Sequence, residues 1–261
     1  MVSVGFVGAG RMATALMQAI KAKKAASSIL ASDRSEERRA YVQTLGFQVT
    51  ADNRQVAKRC DVIVLAVKPQ DIATVLDDLK GVVRIDQIVI SIAAGVKLSF
   101  LQSKLKAKWV RVMPNAACLV GEMAAGYAYG QNITEKDKQV VQKIFSSAGL
   151  AFELRETDLD AVTALSGSGP AFFATIITAF ADAAAKQGLD RGIAQQLALQ
   201  TASGTIKLIK EGTSPEDLVK MVASPGGTTM AGLKVMEDKK LRQILADVIA
   251  AAADRSRELG R

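Results

Sequence analysis

Histidine is absent from all 261 residues of this chain, and that absence removes several mechanisms at once. No Ser-His-Asp triad, Cys-His dyad or histidine-bearing zinc site can be assembled. Any general acid must come from Lys, Tyr, Cys, a carboxyl, a hydroxyl or water. Cysteine is scarce: there are two, Cys60 and Cys118, and neither has a partner at metal-ligand spacing. That usage fits a reduced, cytoplasmic setting and predicts no metal site. Aromatics make up 5% of the chain, too few for the stacking platforms that single-stranded nucleic acid requires. No run reads as long enough to span a bilayer, because the most apolar stretch, 171–181, is short, carries threonines and is followed by Asp182. A strand-like run begins at Val2, where a signal peptide would lie. Neither a nucleic-acid nor a membrane partner is expected.

What is present is apolar and mildly basic. Hydrophobic residues make up 49%, enough for a sizeable core, and the formal charge is +8. The Lys and Arg are spread along the chain. The densest patches, 21–24 and 104–108, are short and read as solvated helix ends. A positive field of this kind attracts small anions such as phosphates and carboxylates.

The first half alternates continuous apolar runs with helical spacing. Strands are predicted at 2–7, 29–32, 47–50, 61–67, 87–92 and 109–112, with later ones at 127–129 and 150–153. Helices are predicted at 11–23, 36–45 and 135–147. Uninterrupted apolar strands separated by helices imply a parallel sheet covered on both faces. From about Thr157 the strand signal ends, and helices are predicted at 170–187, 191–210, 215–222, 228–237 and 240–259. The fold expected is an α/β Rossmann domain with a mostly parallel sheet, residues 1–156, followed by an all-α domain, residues 157–261. The stretch 171–185 is apolar nearly all round and must be covered on every side, either as a subunit interface or as a central core helix.

Gly8-Ala9-Gly10-Arg11-Met12-Ala13 spells G-x-G-x-x-A directly after the first strand and opens a helix. Gly8 makes the tight turn, Gly10 lets the backbone approach a pyrophosphate, and Ala13 permits close helix–strand packing. At the end of the second strand stand Asp33 and Arg34. An acid at this place holds the ribose hydroxyls of NAD, and an arginine accommodates the 2′-phosphate of NADP. Both readings stay open, as does a surface pair between Arg34 and Glu37. Lys68-Pro69, Ala93-Ala94-Gly95 and Met113-Pro114-Asn115 end further strands, at the edge where an open α/β sheet binds its ligand. Each alone also fits an ordinary strand-to-helix turn.

Near the other end, Ala223-Ser224-Pro225-Gly226-Gly227-Thr228-Thr229 lies between two predicted helices. Pro225 stops what precedes it. The glycine pair can turn tightly, and the N–H groups of a new helix at Thr228 favour an anion. The same composition also fits a plain interhelical turn.

The strings GFVGAGRMATAL, AVKPQD, SIAAGV, VRVMPNAA, SGSGPAF and ASPGGTTMAGL occur in this order over nearly the whole chain. Together they resemble the pyrroline-5-carboxylate reductase family. The last is that family's signature; the first is shared by many dehydrogenases. The resemblance implies a Rossmann domain, then a helical substrate-binding and dimerisation domain that builds dimers or larger rings. It implies reduction of 1-pyrroline-5-carboxylate to L-proline by NAD(P)H; beside Asp33 and Arg34, NADPH is the cofactor expected, with NADH possible. Val7, Gly8, Ala9, Gly10, Arg11 and Met12 match the family's pyrophosphate loop. Asn53 falls on a contact to the adenosine ribose or its phosphate. Ala66, Val67, Lys68, Pro69, Ile92, Ala93 and Ala94 match nucleotide contacts, and Met113 and Pro114 border the nicotinamide. Ala223, Ser224, Gly226, Gly227, Thr228 and Thr229 match the substrate loop, with the Thr229 hydroxyl near the imine nitrogen. One position departs: some relatives carry a glutamate where this chain has Gly212, beside Glu211. A related imine reductase, a β-hydroxyacid dehydrogenase and a non-catalytic NADP(H) sensor are the alternatives. The dehydrogenase needs a helical catalytic lysine; no residue here calls clearly for that role, although Lys186 and Lys207 lie on predicted helices.

Overall fold

In a computed structural model, residues 1–260 are described, and they form two compact units. The first unit spans Met1–Ser168 and takes in the chain again from Ala251; the second is Gly169–Ala250. The sequence reading divides the chain after residue 156. By compactness, residues 157–168 and the last turns of the final helix group with the sheet instead. Arg261, the last residue of the expected helical range, lies outside the described residues.

In the first unit the order is β1 (Ser3–Val7), α1 (Arg11–Ala22), β2 (Ser28–Ser32), α2 (Glu36–Thr44), β3 (Gln48–Thr50), α3 (Asn53–Arg59), β4 (Val62–Leu65), α4 (Ile72–Leu79), β5 (Ile88–Ser91), α5 (Leu98–Lys104), β6 (Lys108–Met113), β7 (Met123–Tyr129), α6 (Glu135–Ser146), β8 (Gly149–Glu153) and α7 (Leu159–Val162). The strands make one sheet in the order β3-β2-β1-β4-β5-β6-β7-β8. Every pairing is parallel except β6 with β7, so the sheet is mostly parallel, as the continuous apolar runs require. Side chains alternate between its faces. On one side Val4, Phe6, Val62 and Val64 pack with Leu16, Met17 and Ile20 of α1. On the other Ile63 and Leu65 pack with Ile72, Leu76 and Trp109.

The register pairs Val7 with Ser32 and Leu65, Leu65 with Ser91, and Ser91 with Arg111. The carboxyl ends of five strands therefore line up along one edge. Strand order reverses between β1 and β4, which is where such a sheet opens a ligand crevice. β4 stops at Leu65, two residues short of the expected strand, so Ala66 and Val67 leave the sheet at that crevice.

The second unit is helical: α8 (Gly169–Lys186), α9 (Arg191–Lys210), α10 (Pro215–Val222), α11 (Thr228–Asp238) and the start of α12 (Leu241–Leu259). Asp190 caps α9 by accepting from the Ile193 N–H at 2.9 Å. Ser214 caps α10 in the same way, with Pro215 at the first helical position. Within this unit only Gly169, Ala181 and Ala194 are buried. Phe173 is 64% exposed and Phe180 56%. One expectation is corrected here. The sequence reading starts the first helix of this domain at residue 170 and finds no run long enough to span a bilayer, yet the backbone is already helical before Pro170, through a π-helical turn at Thr163–Gly167. The resulting stretch Glu156–Lys186 is long and apolar enough, by length and composition, to cross a membrane.

Candidate functional site

Gly8 follows β1 with φ +91°, and a Cβ there would lie 2.6 Å from the Ala66 carbonyl oxygen, so only glycine fits. Its N–H donates to the Ser32 carbonyl at 2.9 Å, tying the loop to β2. Ala9 is fully buried. Gly10 is the N-cap of α1, extended at φ −64° and ψ −178°, and no side chain caps the helix. A Cβ on Gly10 would meet open space. The first N–H groups of a twelve-residue helix thus face an opening without internal partners, an arrangement made for an anion. Ala13 is buried beneath the loop, as close helix–sheet packing demands.

Two adjoining cavities of about 310 Å³ each open along this strand edge, sharing Gly10, Ala66, Val67 and Lys68. The first also touches Val7, Gly8, Asp33, Arg34 and Asn53. The second touches Arg11, Met12, Ile92, Met113 and Pro114. The structure thus brings together most of the nucleotide residues expected from sequence. Four stand apart from the lining: Ala9 and Ala93 are buried, Ala94 is half-buried, and Pro69 is exposed at the head of a 3-10 turn. Together the paired cavities form an elongated groove, which suits a dinucleotide better than a compact ligand.

Several groups around this groove escaped the sequence reading. The Ser32 hydroxyl donates to Asn53 Oδ1 at 2.7 Å, and Asn53 Nδ2 donates to Asp78 Oδ2 at 3.1 Å. These two bonds fix which way the Asn53 amide faces. Arg38 donates through Nε to the Ala9 carbonyl and through Nη2 to Thr14 Oγ1 at 2.7 Å. Asp33 accepts the Ala9 N–H at 2.9 Å and the Ser35 N–H at 2.9 Å. Only the charge of Arg38 and Asp78 shows in the sequence; their partners come from the tertiary fold. Arg34 is exposed at the groove and forms no ion pair with Glu37 among the described residues.

In the second unit, Ala223 closes α10 with its N–H on the Val219 carbonyl at 3.0 Å. The Gly227 N–H then donates to the Ser224 carbonyl at 3.0 Å, and Gly226 takes φ +72° to make that turn. Gly227 is the N-cap of α11, and no side chain caps it. Thr228 and Thr229 are the first two residues of the helix, so their N–H groups have no partner inside it. Thr228 is exposed and Thr229 half-buried. The loop therefore has the form expected of it, an anion-ready helix start carrying hydroxyls. Gly212, at the departing position, sits at φ +108° and turns the chain after α9.

Residues 156–259 match the family model described as pyrroline-5-carboxylate reductase dimerisation. Residues 3–95 match one described as NADP oxidoreductase, coenzyme F420-dependent. The pyrroline-5-carboxylate reductase of Methanosarcina acetivorans is 44% identical over 99% of this chain and 98% of its own. That of Arabidopsis thaliana is 38% identical over 98% of this chain and 95% of its own. Among solved structures, the pyrroline carboxylate reductase of Plasmodium falciparum with NADP bound has a TM-score of 0.89 and 32% identity, covering 100% of this chain and 98% of the other. The pyrroline-5-carboxylate reductase of Coxiella burnetii reaches 0.93 at 33% identity, covering 99% and 98%.

Proposed function

The chain belongs to the pyrroline-5-carboxylate reductase family, and from that premise we propose how its residues divide the reaction. It is an oxidoreductase that reduces 1-pyrroline-5-carboxylate to L-proline with NAD(P)H. The observation that carries this assignment is the identity over the full length, which takes in both the phosphate loop of the first unit and the Ser224–Thr229 loop of the second.

The groove fits the cofactor: a loop that excludes a Cβ at Gly8 and leaves space above Gly10, over an uncapped helix start. In this reading the N–H groups at Arg11 and Met12 hold the pyrophosphate, and Asn53 faces the adenosine. Arg34 takes the 2′-phosphate, so NADPH is preferred over NADH. Ala66, Val67, Lys68 and Ile92 line the nucleotide, and Met113 and Pro114 border the nicotinamide. When bound, the cofactor supplies the hydride that goes to the imine carbon.

The carboxylate of the substrate lies on the uncapped N–H groups at Thr228 and Thr229, with Ser224 beside them. The Thr229 hydroxyl hydrogen-bonds the ring nitrogen. A threonine is a poor acid, and an imine can enter already protonated, so Thr229 orients the ring. No histidine is needed for any of this. The apolar faces of the second unit are covered by a second copy of the chain, making at least a dimer; their position inside the dimerisation match favours this over a membrane. Cys60 and Cys118 are free and buried, and burial pushes both thiols up to about 11, so they stay protonated and inert, in keeping with a cytoplasmic home.

The direct test follows the loss of NADPH absorbance on adding 1-pyrroline-5-carboxylate, with L-proline identified as product. Turnover with both cofactors, and a lower KM for NADPH, is expected. Tight NADPH binding without turnover would overturn the assignment.

A further inference from the structure

An acid at the end of the second strand of a dinucleotide fold ordinarily holds the adenosine ribose and favours NAD. In this chain that acid already holds two backbone groups. Both Asp33 carboxylate oxygens accept backbone N–H groups: Oδ2 from Ala9 and Oδ1 from Ser35, each at 2.9 Å. Ala9 is the buried middle residue of the phosphate loop, so Asp33 grips the loop from its N–H side.

Arg38 grips the same residue from its carbonyl side. Its Nε donates to Ala9 O, and its Nη2 reaches Thr14 Oγ1 at 2.7 Å. Thr14 in turn donates to Gly10 O at 2.9 Å, so three side chains converge on two loop residues. Arg38 also violates a local rule. It lies in the first turn of α2, whose Ser35 cap accepts its N–H, and a cation at a helix N-terminus opposes the helix dipole. A local cost of that kind persists where tertiary contacts offset it, and here those contacts are the phosphate loop and the Tyr41 ring, 4.7 Å from the guanidinium. A carboxylate on the N–H of Ala9 and a guanidinium on its carbonyl hold the two successive peptide groups of the loop from opposite ends.

We propose that Asp33, together with Arg38, is a positioning residue that sets the phosphate loop for NADH and NADPH alike, and that Asp33 does not select between them. Selection falls to the neighbouring Arg34, exposed at the groove. The inference rests on the reading that NAD(P)H binds this loop. It does not depend on the reductase activity, because cofactor affinity can be read without substrate.

The test titrates the full-length protein with NADPH and with NADH, by cofactor fluorescence. In Asp33→Ala the Kd for each cofactor rises about tenfold, the scale of a lost charged hydrogen bond. The ratio of the two constants stays within about twofold of wild type, and turnover loses more through the NADPH KM than through kcat. Arg38→Ala behaves alike, and Arg38→Lys does not rescue it, since one ammonium cannot span Ala9 O and Thr14 Oγ1. Arg34→Ala is the control that shifts the ratio. Should Asp33→Ala fold poorly, Asp33→Asn is read by the same criterion, since its amide replaces one of the two acceptors by a donor. Loss of NADH binding alone, or a gain in NADPH affinity, would identify Asp33 as a ribose ligand and overturn the proposal. Unchanged binding of both cofactors in Asp33→Ala and Arg38→Ala would overturn it equally.

Discussion

The two units solve the same problem, covering apolar surface, in opposite ways. The sheet unit does it mostly internally: Trp109, Phe6 and Phe145 are fully buried, and the central strands β4 and β5 have no face left open, while of the strands only the edge strand β8 exposes large apolar residues, Leu150 and Phe152. The helical unit buries only Gly169, Ala181 and Ala194, and leaves Phe173, Phe180, Ile206 and Val235 more than half exposed. A surface like that marks an interaction face. On the proposed function, the contrast is between a cofactor groove lined within one unit and a unit whose exposed apolar faces call for a second copy.

Four experiments break or sharpen this contrast, from the largest effect to the smallest. Phe180→Asp puts a charge on the exposed helical face; the dissociation constant of the assembly should rise on the order of 10²-fold or more, the range of a central hydrophobic anchor. Light scattering coupled to gel filtration reads this, and NADPH affinity in the sheet unit should persist. Gly8→Ala does the reverse. Its Cβ collides with the Ala66 carbonyl, so NADPH binding should weaken on the order of 10²-fold while assembly survives. Arg34→Ala is milder, raising the NADPH KM about tenfold and leaving NADH unchanged, as steady-state kinetics with each cofactor would show.

The smallest effect concerns acid stability of the sheet unit. Burial raises the Asp137 carboxyl, but hydrogen bonds from Lys108 and Thr134 outweigh it, and the net value lies below the usual carboxylate range. A depressed carboxyl adds stability above its unfolded value and loses it as pH falls through the folded one. Lys108→Met removes the 2.8 Å ion pair. It should lower the melting temperature by a few degrees at neutral pH and less in acid, where the carboxyl is protonated anyway.

Much of this was legible in the sequence, because the signals were local. Continuous apolar runs gave the strands, and Gly8 and Gly10 at a strand end gave the phosphate loop. Proline and paired glycines gave the loop before α11. The short helices α3, α4 and α5 went unplaced, since seven or eight residues hold too little periodicity. Arg38 and Asp78 were invisible as site residues because their partners, Ala9 and Asn53, are far off in sequence. The grouping of residues 157–168 with the sheet was equally hidden, since their composition is helical and only packing assigns them. For Asp33, the sequence rule offered the ribose, and the fold adds a partner that the sequence does not show, the Ala9 N–H.

The division of labour between the units is tested most directly by Thr229→Ala, titrated with NADPH and assayed for turnover in the same preparation. The account predicts NADPH affinity within about twofold of wild type, and kcat/KM for 1-pyrroline-5-carboxylate lower by about 10- to 100-fold, the cost of one orienting hydrogen bond. Wild-type kcat and KM in the variant, or lost NADPH binding, would contradict it.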